Sequence, residues 1–177
     1  MTDILISDLH LDESRPDLTS GFLHFLAEGL QGASSLYILG DFFEVWLGDD
    51  HDTPFNRKII NALAEIDIPI YIMHGNRDFL LGEQFCAKIG ATLLADPSVV
   101  NLGGEQVLLM HGDSLCTEDV EYMKVRSLLR NPAFQADFLT KTLAERQIFA
   151  DQARGESKAH TQEAAADIMD VTAAEVV

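Results

Sequence analysis

Four short apolar runs in this chain each end in residues of the kind that bind cations, and this repetition constrains the fold more than any other feature. Leu36-Tyr-Ile-Leu-Gly-Asp-Phe-Phe-Glu44 is the clearest case. Residues 36–39 are apolar and β-favouring throughout, the pattern of a buried strand in a parallel sheet. Gly40 breaks the run and Asp41 follows at once. Open α/β sheets take their ligands at the carboxyl ends of their strands. The same design recurs in Ile4-Leu-Ile-Ser-Asp8-Leu-His10, in Ile70-Tyr-Ile-Met-His-Gly-Asn76-Arg-Asp78 and in Val107-Leu-Leu-Met-His111-Gly-Asp113. Four strand ends delivering oxygen and imidazole donors to one sheet edge are the makings of a metal site.

The intervening segments read as helices. Phe22, Leu23, Leu26 and Leu30 form one apolar stripe within 18–30, ended by Gly32, and Ile59, Ile60, Leu63 and Ile66 form another within 55–66. A third, short helix is expected over 79–89, ended by Gly90. Strands are expected at 35–39 and 68–73, with β-like pieces at 91–94, 98–102 and 106–110. Gly103-Gly104 is a hairpin turn between the last two. Alternation of strand and helix argues for an α/β fold with an antiparallel pair near 98–110. After Asp113 the strand signal fades, and 118–130, 132–152 and 156–170 read as helices.

At 177 residues the chain is most simply one domain. Its 12 basic against 29 acidic residues, net −17, argue against binding duplex nucleic acid. Cys86 and Cys116 follow no CxxC spacing and read as free thiols in a reducing cytoplasm. No basic-then-apolar leader precedes the first strand, so no signal peptide is expected. No apolar run approaches the ~20 residues needed to span a bilayer.

Asp, His and Asn are donors that suit Mn²⁺, Fe²⁺ or Zn²⁺, and the lack of cysteine in the clusters argues against a structural zinc site. A carboxylate can bridge two cations ~3.5–4 Å apart, and such a pair clamps a phosphoryl group and activates water. Asp41 is the natural bridge, because its strand should lie between those carrying Asp8 and Asn76.

Asp8-x-His10, Gly40-Asp41, Gly75-Asn76-x-Asp78 and His111-Gly112-Asp113, in this order, resemble the calcineurin-like metallophosphoesterases. The longer stretches Ser-Asp-Leu-His-Leu, Gly-Asp-Phe-Phe-Glu-Val-Trp-Leu-Gly-Asp-Asp, His-Gly-Asn-Arg-Asp-Phe-Leu-Leu-Gly and Met-His-Gly-Asp-Ser-Leu-Cys-Thr are similar to the branch of that family that serves lipid A biosynthesis. Ser157-Lys158 and Ile168-Met169-Asp170 fit that branch too. The resemblance implies a metallophosphoesterase sandwich, incomplete at its C-terminus, with a helical cap at about 118–165 within a single domain 1–177. It implies two divalent metals, Mn²⁺ foremost. Asp8 and His10 would hold one, Asn76 and His111 the other, and Asp41 both. It implies a catalytic role for Asp41, Asn76 and Arg77, and substrate contacts at Asn76, Arg77, Asp119, Ser157 and Thr161. Most of the superfamily has His where this chain has Arg77, which can hold phosphate oxygens but cannot usefully donate a proton. The basic contact that the resemblance leads one to expect near Ala164 is absent, with Lys158 a nearby substitute.

The implied reaction is hydrolysis of the pyrophosphate of UDP-2,3-diacylglucosamine to UMP and 2,3-diacylglucosamine 1-phosphate (lipid X). A lipid substrate implies a cytoplasmic protein peripheral to the inner membrane. The acidic surface disfavours electrostatic binding to anionic lipid, so insertion of aromatics such as Phe134 and Phe138 is the expected means. The family's Gly-His-x-His motif, which follows the cap and completes the metal pair, is not in this sequence. The chain therefore reads as a truncated copy of a longer protein, expected to hold metal weakly. Two alternatives remain at this level. One is a dinuclear phosphoesterase for nucleotides or phosphodiesters. The other is an inactive interaction module, as in the scaffold subunit of retromer.

Other polar and aromatic residues have blander readings. His74 reads as a packing or supporting residue, His24 and His51 as surface. Glu44, Asp49, Asp50 and Asp52 either support the site or merely solvate the loop. Asp78 and Asp113 read as loop-orienting acids, and Phe42, Phe43 and Trp46 as core rather than acyl-chain contacts.

Overall fold

A computed structural model describes residues 2–163 and 170–176, without the side chains of 158–163. The chain forms two compact units, Met1–His111 and Gly112–Val177.

In the first unit four strands, β1 (Thr2–Ile6), β2 (Ala33–Leu39), β3 (Ile70–Met73) and β4 (Ala91–Leu94), form a parallel sheet in the order β1-β2-β3-β4. β2 therefore lies between β1 and β3, as the sequence led us to expect. Leu36, Tyr37 and Ile38 are all buried, so β2 is covered on both faces. Crossovers carry α1 (Pro16–His24), α2 (Pro54–Ala64) and α3 (Glu83–Ile89). A second, two-stranded sheet is the antiparallel hairpin β5 (Ser98–Leu102) and β6 (Glu105–Leu109), turning at Gly103-Gly104. Tyr37, Met73 and Leu109 are buried together, and Val100 and Val107 pack against them, which joins the hairpin to the parallel sheet.

Local chemistry sets the helix bounds. The Thr53 hydroxyl accepts from the Asn56 N–H at 3.0 Å and Pro54 opens α2. α3 starts four residues later than its apolar pattern suggests. Its N-terminus is held from afar: the Asp49 carboxylate accepts from Gly82 N–H at 3.0 Å and Phe85 N–H at 2.9 Å. Asp49 is thus a cap rather than a solvated acid. The helix expected over 18–30 is α1 followed by a π-helical turn at Phe25–Gly29.

The second unit holds α4 (Val120–Leu129), α5 (Pro132–Leu139) and α6 (Leu143–Glu163). The helix expected over 132–152 breaks at residues 140–142. There Thr142 and Glu145 form a reciprocal cap, the Glu145 carboxylate accepting from the Thr142 N–H at 2.8 Å and the Thr142 hydroxyl from the Glu145 N–H at 3.3 Å. α6 then runs through Gly155 without the interruption expected near 153–155. Asp113 anchors this unit, accepting from Tyr122 Oη at 2.7 Å and Arg126 Nε at 2.9 Å. Phe134, Phe138 and Phe149 pack on one another with ring centroids 5.7, 6.1 and 5.0 Å apart, and Phe138 is 3% exposed. Phe138 is therefore core and not open for insertion into a membrane. Among the described residues, the large exposed apolar side chains of this unit are aliphatic, among them Leu128, Leu139 and Ile148. Among the described residues no helix is long and apolar enough to cross a membrane, and Cys86 and Cys116 are free thiols.

Candidate metal centre

The loops after β1 and β2 are zipped together by their backbones. Asp8 N–H donates to Gly40 C=O at 3.1 Å, His10 N–H to Asp41 C=O at 2.9 Å and Leu11 N–H to Phe42 C=O at 2.9 Å. This zip holds Asp8, His10 and Asp41 in left-handed backbone, with φ of 55°, 47° and 49°. Such conformations cost a non-glycine residue ~1 kcal/mol or more and cluster at functional sites. The result is that one donor atom from each of Asp8, His10 and Asp41 lies within 4.8 Å of the others. In an extended segment, Asp8 and His10, two residues apart, would point to the same side. The strained loop, not strand alternation, is what brings them to Asp41.

The other two candidates arrive by different routes. Asn76 follows β3, and the Arg77 N–H donates to Asp41 Oδ1 at 2.8 Å. His111 follows β6, so it comes from the hairpin and not, as the sequence suggested, from the same sheet edge. Its Nδ1–H donates to the Leu39 carbonyl at 2.9 Å, at the very end of β2. That bond fixes the tautomer and leaves the Nε2 lone pair facing Asp41 Oδ1 at 3.8 Å. His10 is fixed in the same sense. Its Nδ1–H donates to Glu44 Oε2 at 3.0 Å, and Nε2 faces Asp41 Oδ2 at 3.7 Å. Glycine makes the approach possible: a Cβ on Gly75 would overlap the Asp41 carboxylate and backbone nitrogen, and one on Gly40 would meet His111 Nδ1 at 2.6 Å.

The donor set fits cations. Separations of 3.7 and 3.8 Å are too long for a direct hydrogen bond. They are less than twice the ~2.1 Å of a metal–ligand bond. Asp41 is 4% exposed. Burial lifts its acid above the usual carboxylate range, against the Arg77 N–H bond and the nearby histidines, so its charge is under-compensated by the protein alone. The Asn76 amide lies against the same carboxylate, its nitrogen donating to the two Asp41 oxygens at 2.5 and 2.9 Å. Glu44 holds the His10 imidazole above its ordinary value of 6.5, against burial.

The remaining residues have supporting roles. Asp78 is fully buried and accepts from Phe42 N–H and Gly75 N–H, both at 2.8 Å, tying the Asp41 loop to the Asn76 loop. His74 Nε2–H donates to the Leu81 carbonyl at 2.6 Å. Phe42, Phe43 and Trp46 are buried in an aromatic core with Phe85. Asp119, Ser157 and Thr161 belong to the second unit. Asp119 is buried and caps α4, accepting from the Tyr122 N–H at 2.9 Å. Ser157 lies in α6, and the side chains of Lys158 and Thr161, with all of Ala164, lie outside the described residues. Sequence reasoning left Glu44 ambiguous. Its position three residues after Asp41 was visible, but not the zip that sets it against His10.

Acid, amide and imidazole gathered around one buried carboxylate make a set of donors able to hold divalent cations. A family model for calcineurin-like phosphoesterases matches residues 1–177, and the chain belongs to that family. Within it, the chain is similar to proteins named UDP-2,3-diacylglucosamine hydrolase. The one from Ectopseudomonas mendocina (strain ymp) is 57% identical over 98% of this chain and 73% of its own length. Those from Stutzerimonas stutzeri (strain A1501) and Marinobacter nauticus are 58% and 56% identical, over 96% and 100% of this chain and 72% and 74% of theirs.

Proposed function

We propose that this chain hydrolyses the pyrophosphate of UDP-2,3-diacylglucosamine, releasing UMP and 2,3-diacylglucosamine 1-phosphate. The relatives' shared name supplies the substrate. The observation that carries the chemistry is the Asp41 carboxylate, whose two oxygens each face a different imidazole Nε2. In this reading Asp8 and His10 hold one divalent cation, Asn76 and His111 a second, and Asp41 both. Mn²⁺ suits such an oxygen and nitrogen donor set. Cations bound there neutralise phosphoryl oxygens and make water a competent nucleophile at neutral pH.

The chain's own residues do the positioning. Asp41 is pinned by the Arg77 N–H, so the carboxylate cannot swing out of the site. The Arg77 guanidinium supplies a planar fork of donors for phosphate oxygens. Water adds to the phosphorus on the uridine side, the bridging P–O bond breaks, UMP keeps the entering oxygen, and the lipid sugar 1-phosphate departs. With a net charge of −17, the protein as a whole repels this anionic substrate, so attraction must be local to the site.

A two-chain lipid substrate supports a reading in which the protein works at the cytoplasmic face of the inner membrane, with exposed aliphatic side chains of the second unit, such as Leu139 and Ile148, making contact. The test of the reaction is ³¹P NMR of the purified chain with UDP-2,3-diacylglucosamine and Mn²⁺. UMP should accumulate, stop on adding EDTA, and be absent for Asp41→Ala. Equal UMP release by Asp41→Ala would sink the reading.

A further inference from the structure

We infer that Glu44 is a positioning residue that, acting through His10, makes the Asp8–His10 end of the site bind a divalent cation more tightly than the His111 end. The inference rests on the metal reading above and goes beyond it. Both histidines present Nε2 to Asp41, at 3.7 and 3.8 Å, but they are held from behind by different groups. His111 Nδ1–H donates to a neutral backbone carbonyl, that of Leu39. His10 Nδ1–H donates to a carboxylate, Glu44 Oε2, at 3.0 Å. A carboxylate behind an imidazole makes its other nitrogen a stronger donor, and such supporting partners typically change metal affinity 10–100-fold.

The placement of Glu44 is built into the backbone. Its N–H donates to the Leu11 carbonyl at 3.1 Å, and Leu11 forms a parallel bridge with Phe43. Phe43 is 1% exposed and fixed among aromatic rings, so the residue beside it is delivered to His10 by the core. His10 itself is about one-third exposed and has strained backbone, and would otherwise be free to rotate.

Titration with Mn²⁺ alone, followed by calorimetry and electron paramagnetic resonance on the full chain, tests this. Glu44→Ala should weaken the tighter Mn²⁺ step 10–100-fold, while Glu44→Gln, whose amide oxygen still accepts from Nδ1–H, should lose less. In a His10→Ala background, Glu44→Ala should cost nothing further, because its effect runs through the imidazole. Heteronuclear NMR should show His10 leaving the Nδ1–H tautomer in Glu44→Ala. Wild-type affinity in both Glu44 variants, or an equal loss with and without His10, would overturn the inference and leave the metal reading intact. Absence of Mn²⁺ binding by the unmodified chain would overturn both. Should Glu44→Ala not fold, Glu44→Gln with and without His10 gives the same comparison.

Discussion

At the scale of single residues the site is a problem of where protons and charges sit. The His10 imidazole is raised by its hydrogen bond to Glu44, so in the metal-free protein the pair stabilises the fold fully below pH 6.5 and loses that contribution as pH rises through the elevated value. A cation needs Nε2, the nitrogen that takes up the second proton, unprotonated, so metal affinity should change in the opposite direction and fall as the pH is lowered through that value. Mn²⁺ titrations between pH 5.5 and 8 should show tighter binding at the alkaline end, and the reverse trend would contradict the assignment of His10. Arg77 is argued to hold phosphate by geometry as well as by charge. Arg77→Lys keeps the charge and loses the fork, so kcat/KM should drop by about 30-fold, equivalent to ~2 kcal/mol, with metal affinity unchanged.

At the scale of elements, tight turns let loops from different strands touch. Gly75 sits where any Cβ would drive into Asp41. Gly75→Ala should therefore abolish Mn²⁺ binding while circular dichroism still reports a folded protein. Full Mn²⁺ binding by that variant would show that the loops approach less closely than described. Asp78 ties the same two loops together from below by accepting from backbone N–H groups. Asp78→Ala would strand those buried donors, and denaturant unfolding should show a loss of about 3 kcal/mol. In the second unit, the Thr142–Glu145 cap decides where one helix ends and the next begins, and the aromatic cluster around Phe138 packs the turn that results.

At the scale of the whole molecule, charge and ligand linkage dominate. A protein of net charge −17 meeting a pyrophosphate should bind its substrate better as salt screens the repulsion. KM should thus fall between ~10 and ~150 mM salt, and a rise over that range would mean that local attraction reaches further than the site. Cations that bind only the folded chain stabilise it by mass action, about 2.7 kcal/mol at a hundredfold excess over Kd for each site. Chelation should accordingly lower Tm.

Legible along the chain were the strand–helix alternation, the place of the Asp41 strand between its neighbours, and the residues that lead to the family. These follow from apolar runs, glycine breaks and donor residues at fixed short spacing, all of which are local. It took the folded chain to reveal that His111 reaches the site from a separate hairpin, that Asp49 caps a helix more than thirty residues away, that Phe138 is core, and that Glu44 supports His10. Each of those depends on segments far apart in the chain meeting through backbone hydrogen bonds and buried rings. No residue's neighbours in sequence record which distant segment will pack beside it.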